Sequence, residues 1–195
     1  MLIKDGTGGG AAAGVTPHNR LWTESMGQDF FSHHSLLHGD VYLCLFEHTQ
    51  QVNATEEKFG YLRNTSETPI IVSGFMISCN DTGITSLKMS VGPSGVGGGA
   101  AVTPINMKQD TARELSAEML DSGAGGASLV TTTANGTDLM LLYSLPNSPA
   151  WMDLQKVLVL GHNDSLLLRA TMPNATKVLA LHLVVAAVDP DHLGG

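Results

Sequence analysis

From residue 41 onward the chain alternates between short apolar runs and clusters of turn-forming residues. Residues 41–46 form a β-branched and aromatic run, and residues 58–62 alternate weakly. Residues 69–77 are rich in Ile and Val and end at Asn80, Asp81, Thr82 and Gly83, a turn signal; residues 86–91 then alternate with period two. Such patterns predict half-buried or buried strands. Residues 92–101 read as a glycine-rich loop. A strand resumes within 100–107, confined to an edge or bulge by Pro104, which has no N–H to donate to a ladder. Ala112, Leu115 and Met119 stand at helical spacing and predict a helix over 111–120. Strands over 128–133 and 138–143 are joined through Asn135 and Gly136, the pair most favoured in tight hairpins. Strands over 155–160, 165–171 and 176–188 complete the set. About nine strands with frequent turn signals predict an all-β, antiparallel β-sandwich, with a jelly roll as the specific architecture.

The first 26 residues follow a different pattern. Leu2 and Ile3 form a short apolar hook, and Gly6, Gly8, Gly9, Gly10 and Gly14 give a flexible tract. A second anchoring patch follows at Leu21 and Trp22. This arrangement predicts an extended N-terminal arm over 1–26 that lies along another surface, followed by a sandwich domain over 27–195.

Composition narrows the functional classes. Charged residues are 14% of the chain, against roughly 25% in ordinary soluble domains, which suits surfaces buried in an assembly. Aromatics are only 5%, so the core is expected to consist of Leu, Val, Ile, Ala and Met. The net charge of −8 and the scattered Lys and Arg argue against a nucleic-acid partner, whose phosphates need clustered cations, and against an anionic membrane. The apolar run over 178–188 is interrupted by His182 and is shorter than the ~20 residues that span a bilayer. With no basic region leading into a continuous apolar stretch at the start, synthesis in the cytoplasm is expected. Cys44 and Cys79 have neither zinc nor disulfide-framework spacing and read as buried free thiols.

Candidate chemistry is sparse. Asp81-Thr82-Gly83 matches the triplet that carries the aspartic-protease carboxylate, but that chemistry needs two carboxylates sharing a proton, and the triplet is also an ordinary turn. His33, His34 and His38 lack the one-face spacing of metal ligands. Neither glycine tract is followed by the Lys-Ser/Thr of a phosphate loop. No catalytic residue, metal or cofactor is expected, and the chain is not expected to be an enzyme. Six Asn-x-Ser/Thr triplets, at Asn53, Asn64, Asn80, Asn135, Asn163 and Asn174, fall between the predicted strands and read as turn chemistry.

The opening run Leu2-Ile3-Lys4-Asp5-Gly6-Thr7-Gly8 with the following Asn19-Arg20-Leu21 resembles the start of a group of tailed-bacteriophage virion proteins. Pro104-Ile105-Asn106-Met107-Lys108 and the segment 161–176, with its Pro173-Asn174-Ala175-Thr176 step, resemble later segments of that group. The chain departs from the group at Ala11, Ala12, Ala13, Gly14 and Val15, where a basic residue and a Lys-Val pair are usual. The resemblance implies a structural component of a phage particle and supplies no catalytic residues. With the arm and the sparse charge, it leads to the expectation of a capsid decoration, or cement, protein on the virion surface. Its partners would be the major capsid protein and itself, as a homotrimer. Leu2, Ile3, Lys4, Asp5, Leu21 and Trp22 would be the arm's capsid contacts, holding by multiplied weak interactions. The alternative is a tail, baseplate or head-fibre adhesion protein.

Overall fold

A computed structural model describes residues 40–108, 113–122, 129–144 and 149–187. Among these residues there are thirteen strands and no helix. Eight are long: β1 (Val41–Thr49), β2 (Glu57–Asn64), β3 (Ile70–Cys79), β4 (Thr85–Val91), β10 (Thr137–Ser144), β11 (Ala150–Leu160), β12 (Ser165–Thr171) and β13 (Val178–Ala187). Between β4 and β10 lie β5 (Ser94–Gly97), β6 (Ala100–Ala101), β7 (Ile105–Asn106), β8 (Ala117–Asp121) and β9 (Val130–Ala134).

The first four long strands pair with the last four in reverse order. β1 pairs β13, β2 pairs β12, β3 pairs β11 and β4 pairs β10, all antiparallel. The chain is thus one long hairpin, and rolling it up adds the contacts β13 to β3 and β12 to β4. The result is two facing sheets, one ordered β11-β3-β13-β1-β7 and the other β10-β4-β12-β2-β8-β6. This is a jelly-roll β-sandwich.

Alternation puts one face of each strand inward. Leu179, Leu181, Leu183 and Val185 of β13 meet Leu166, Leu168 and Ala170 of β12 across a common core. The core is Leu-rich as expected, but Phe46, Phe59 and Phe75 occupy its centre with essentially no exposure, so the few aromatics carry more of it than composition suggests. Burial of each such side chain contributes roughly 1.5–3 kcal/mol. Gly60 faces this core because a Cβ there would meet Leu168 Cδ1 at 2.7 Å and Phe46 Cδ1 at 3.0 Å.

The segment between β4 and β10 corrects three expectations. No helix forms over 113–120. Instead β8 pairs with β2, setting Met119 opposite Leu62, and residues 111–112 lie outside the described part. Leu115 and Met119 are both buried as their spacing demanded, but the otherwise open edge of β2 offers a hydrogen-bond ladder that outweighs local helix preference. Residues 94–97 are not loop: after a bend the β4–β10 pair continues as the β5–β9 ribbon. Asn135-Gly136 is therefore that bend and not a hairpin turn, since β9 pairs with β5 and β10 with β4.

The ribbon leaves the β4 end of the sheet, where Gly92 N donates to Ser165 O, and its far end reaches β2, where Leu129 N donates to Lys58 O. It crosses the outer face above β12. There Tyr61 and Leu167, opposite one another in the ladder and directed away from the core by alternation, are buried. Beyond the ribbon, β7 extends the first sheet beside β1, while β8 and β6 extend the second beside β2. One side of the sandwich is closed by this insertion.

The bend depends on Gly136, which holds φ at 81°; a Cβ there would stand 2.3 Å from Val91 O and 2.8 Å from Pro93 N. Gly136→Ala is expected to destabilise the domain by about 1–3 kcal/mol in urea unfolding. Gly97→Ala, where a Cβ meets nothing within 4 Å, is expected to leave stability within experimental scatter.

Candidate interaction surface

The buried polar groups come first, because they decide whether the domain has spare chemistry. At one end of the sandwich the β1–β2, β3–β4 and β12–β13 turns are sewn together. Asp81 is fully buried; its Oδ1 accepts from Gly83 N (3.0 Å) and Asn174 Nδ2 (2.7 Å), and its Oδ2 from Asn174 N (3.0 Å). Burial works against ionisation of Asp81, but these hydrogen bonds outweigh it and hold the carboxyl below its ordinary value. Buried Gln50 donates to Val52 O and Thr55 O and accepts from Met172 N. Asn53 Oδ1 accepts from Ala175 N, and Asn80 Oδ1 from Val178 N. Asn64, at the other end, donates to Thr68 O and Leu160 O. The asparagines read from the sequence as turn residues hold turns together, and the Asp-Thr-Gly triplet sits in a turn whose carboxylate is already engaged by three donors.

A second cluster escaped the sequence because its members are 74 and 9 positions apart. His48 is fully buried, with Nδ1 2.8 Å from Ser122 Oγ and Nε2 3.0 Å from Glu57 Oε2; the latter approach is out of line for a hydrogen bond. Glu57 in turn accepts from Gln51 N and Val52 N. The grouping carries Ser, His and carboxylate, yet His48 has no exposed surface, and the cluster joins β1, β2 and the end of β8. A third cluster centres on buried Arg169, whose guanidinium contacts Glu56 (2.5 Å), Ser90 Oγ (2.6 Å) and Asp138. Lys88 completes it on Glu56 at 2.6 Å. Hydrogen bonding from the Ser90 hydroxyl, then the charge of Arg169, hold Asp138 below its ordinary pKa.

Both cysteines are free, as expected; Cys44 is buried, which pushes its thiol pKa up to about 12, and Cys79 is partly buried with Sγ 3.3 Å from Thr85 Oγ1. Among the described residues no group of three or more His, Cys, Asp or Glu is placed to hold a metal ion.

The exposed feature is apolar. Among the described residues, β10 and β11 are the outermost strands of their sheets on the side opposite the insertion. Leu141 and Tyr143, facing Lys88 and Ser86 in the ladder, point outward and are 46% and 69% exposed. Leu139 is the extra residue of a bulge between Asp138 and Met140 and is also exposed. On β11, Trp151 is 60% exposed and Val159 half exposed. The indole lies across Gly74 of β3, where a Cβ would stand 3.2 Å from its Cζ2 and 2.6 Å from Met152 O. Tyr143 and Trp151 flank a cleft of about 50 Å³, and a broader groove of about 360 Å³ opens beside Leu139 and Val159. The first is too small for an organic ligand, and the second is shallow.

Of the residues singled out from the sequence, Leu2, Ile3, Lys4, Asp5, Leu21 and Trp22 lie outside the described residues, as do His33, His34 and His38. Trp151 lies on the exposed edge. The row on β10 was hidden in a continuous apolar run, Leu139 to Tyr143, which reads as a strand buried on both faces.

Comparison of the chain with protein-family models, with curated proteins and with solved structures finds no match.

The His48 cluster makes stability pH-dependent. Burial disfavours the imidazolium, and although Glu57 opposes this, the pKa falls below the ordinary 6.5. Below about pH 6.5 the unfolded chain therefore takes up a proton that the folded form refuses, so this stability is present above 6.5 and lost as pH falls. The denaturation midpoint is expected to drop between about pH 7.5 and about pH 5, and His48→Gln to flatten that slope.

Proposed function

We propose that this chain is a structural virion protein that decorates the outside of a tailed-phage capsid. In this reading the jelly-roll domain stands on the lattice, and residues 1–26 staple neighbouring capsomers through Leu2, Ile3, Lys4, Asp5, Leu21 and Trp22. The observation that carries the reading is a jelly-roll sandwich, an architecture used by viral capsid proteins among others, preceded by a sequence that opens like those of phage virion proteins. Fold alone does not assign function. The reading gains support from the polar clusters, centred on buried Asp81, His48 and Arg169 and engaged in holding turns and strands together, and from a chain poor in charge.

A second reading, as a tail, baseplate or head-fibre adhesion protein, draws on one observation, the adjacent exposed Tyr143 and Trp151, since aromatic side chains are favoured contacts in recognition sites. Copy number separates the two. Quantitative mass spectrometry of purified virions is expected to find this chain at an abundance comparable to that of the major capsid protein; an abundance lower by orders of magnitude would favour the adhesion reading. Absence from the particle would reject both.

The arm has its own test. Deleting residues 1–22 is expected to abolish binding to purified capsids in co-sedimentation while the far-UV spectrum of the domain is preserved. Normal binding by the truncated chain would rule out the arm as the capsid contact.

A further inference from the structure

We infer that the outer face of the β11-β3-β13-β1 sheet is the seat of the chain's own residues 30–37, which cross it before the chain enters β1. The inference rests on the fold and holds whether or not the protein belongs to a capsid.

The ladders set four side chains in one row across this sheet. Val41 lies opposite Ala186, Ala186 opposite Ile71, and Ile71 opposite Val159. Paired residues share a face, and this row alternates with the core residues Tyr42, Val185 and Val72, so it points away from the core. An outward row on an open sheet keeps part of its surface in water. Here Val41 is 1%, Ala186 0% and Ile71 7% exposed, whereas Val159 at the far end is 50% exposed. The three buried residues form an apolar cluster separate from the main core, with Val184 packed against it.

Neighbours within a sheet flank a side chain without capping it, so this burial demands a layer above the sheet. None of the thirteen described strands supplies that layer. All belong to this sheet, to the facing sheet, or to the β5–β9 ribbon, which crosses the outer side of the facing sheet. Past the row the face stays largely apolar: Leu43 and Val184 follow, then Leu45, His182, Met76 and Trp151. Glu47 and Asp153 are the charged residues at its described outward positions.

Position and composition choose the occupant. Burial is deepest at the β1 end of the row and fades toward β11, so the cover enters beside Val41, where the N-terminal segment joins the domain. Residues 27–39 contain Phe30, Phe31, Leu36 and Leu37, with Asp29 as their one carboxylate and no Lys or Arg. Residues 188–195 follow β13 at the same end but carry Asp189 and Asp191, and only Val188 and Leu193 as large apolar groups. Residues 109–112 and 123–128 contain no large apolar residue. Three strand spacings, roughly 14 Å, separate Val41 from Val159, and residues 30–40 can span more than ~30 Å. Covalent attachment gives this segment a high effective concentration at the face, which favours it over the same segment of a second copy. The assignment leaves residues 1–26 for the capsid contact proposed above.

Carbene footprinting of the full-length protein, read by mass spectrometry, is the test. In the wild type residues 30–37 are expected to label as weakly as Val41 and Ile71, and residues 6–14 strongly. F30S/F31S/L36S/L37S is expected to raise labelling of Val41, Ile71 and Ala186 severalfold while Leu168 and Leu183 of the core stay protected. Heavy labelling of residues 30–37 in the wild type would overturn the inference. So would a folded variant in which Val41 and Ile71 remain protected, which would assign the cover to residues 188–195 or another segment. Wild-type protection that fades on dilution would assign the face to a second copy and equally overturn it. Should the variant unfold and expose Leu168 and Leu183 as well, nuclear Overhauser contacts in the wild type decide. Contacts from the methyls of Ile71 and Val184 to the rings of Phe30 or Phe31 are expected, and their absence would refute the assignment.

Discussion

Every long strand of this domain finds its first partner in the opposite half of the chain, and the rest of the architecture depends on that pairing. β1 cannot complete its ladder until β13 has been made, and β2 waits for β12. Closing loops of this length costs entropy before any contact compensates for it, so the domain belongs with the slow, high-contact-order folders. The compensation arrives all at once, when Leu179, Leu181 and Leu183 meet Leu166 and Leu168 between the two sheets. Neither half buries its apolar face without the other.

That constraint explains where the polar side chains went. A rolled hairpin brings turns that are distant in sequence to the same end of the sandwich, where their backbone groups must be satisfied. Asp81 with Asn174, and Gln50 with Met172, do this for turns 93 and 122 residues apart. His48, Glu57 and Ser122 tie the insertion to β1 and β2 at the side. Asp81, His48 and Arg169 are buried supports that tie strands and turns together.

The asymmetry of the sandwich gives the functional proposal its shape. The insertion between β4 and β10 adds strands beside β1 and β2, and crosses the outer face of one sheet over Tyr61 and Leu167. The opposite side ends on β10 and β11. In the proposed reading the N-terminal arm supplies the contacts to the lattice. Many modest contacts acting together retain such a protein without a single tight site.

The sequence by itself determined the local elements: β1, β3, β4, β12 and β13 follow from runs of β-branched residues and period-two alternation, and the turns follow from Asn and Gly. It also pointed to the sandwich, because short strands with turn signals at close intervals, broken by a single helical period over 111–120, do not form βαβ units. It misread the segment between β4 and β10, where Leu115 and Met119 satisfy a helical and an extended reading equally and the free edge of β2 chose between them. Asn135-Gly136 has the composition of a hairpin, yet it became a bend because β4 supplied a better partner for β10. The exposed row on β10 was not legible at all. Leu139, Leu141 and Tyr143 alternate with inward Met140 and Leu142, so the run looks buried on both sides. Only the tertiary structure decided which strand stands at the end of a sheet, since that depends on pairings made with residues 46 or more positions away, and no local period carries that information.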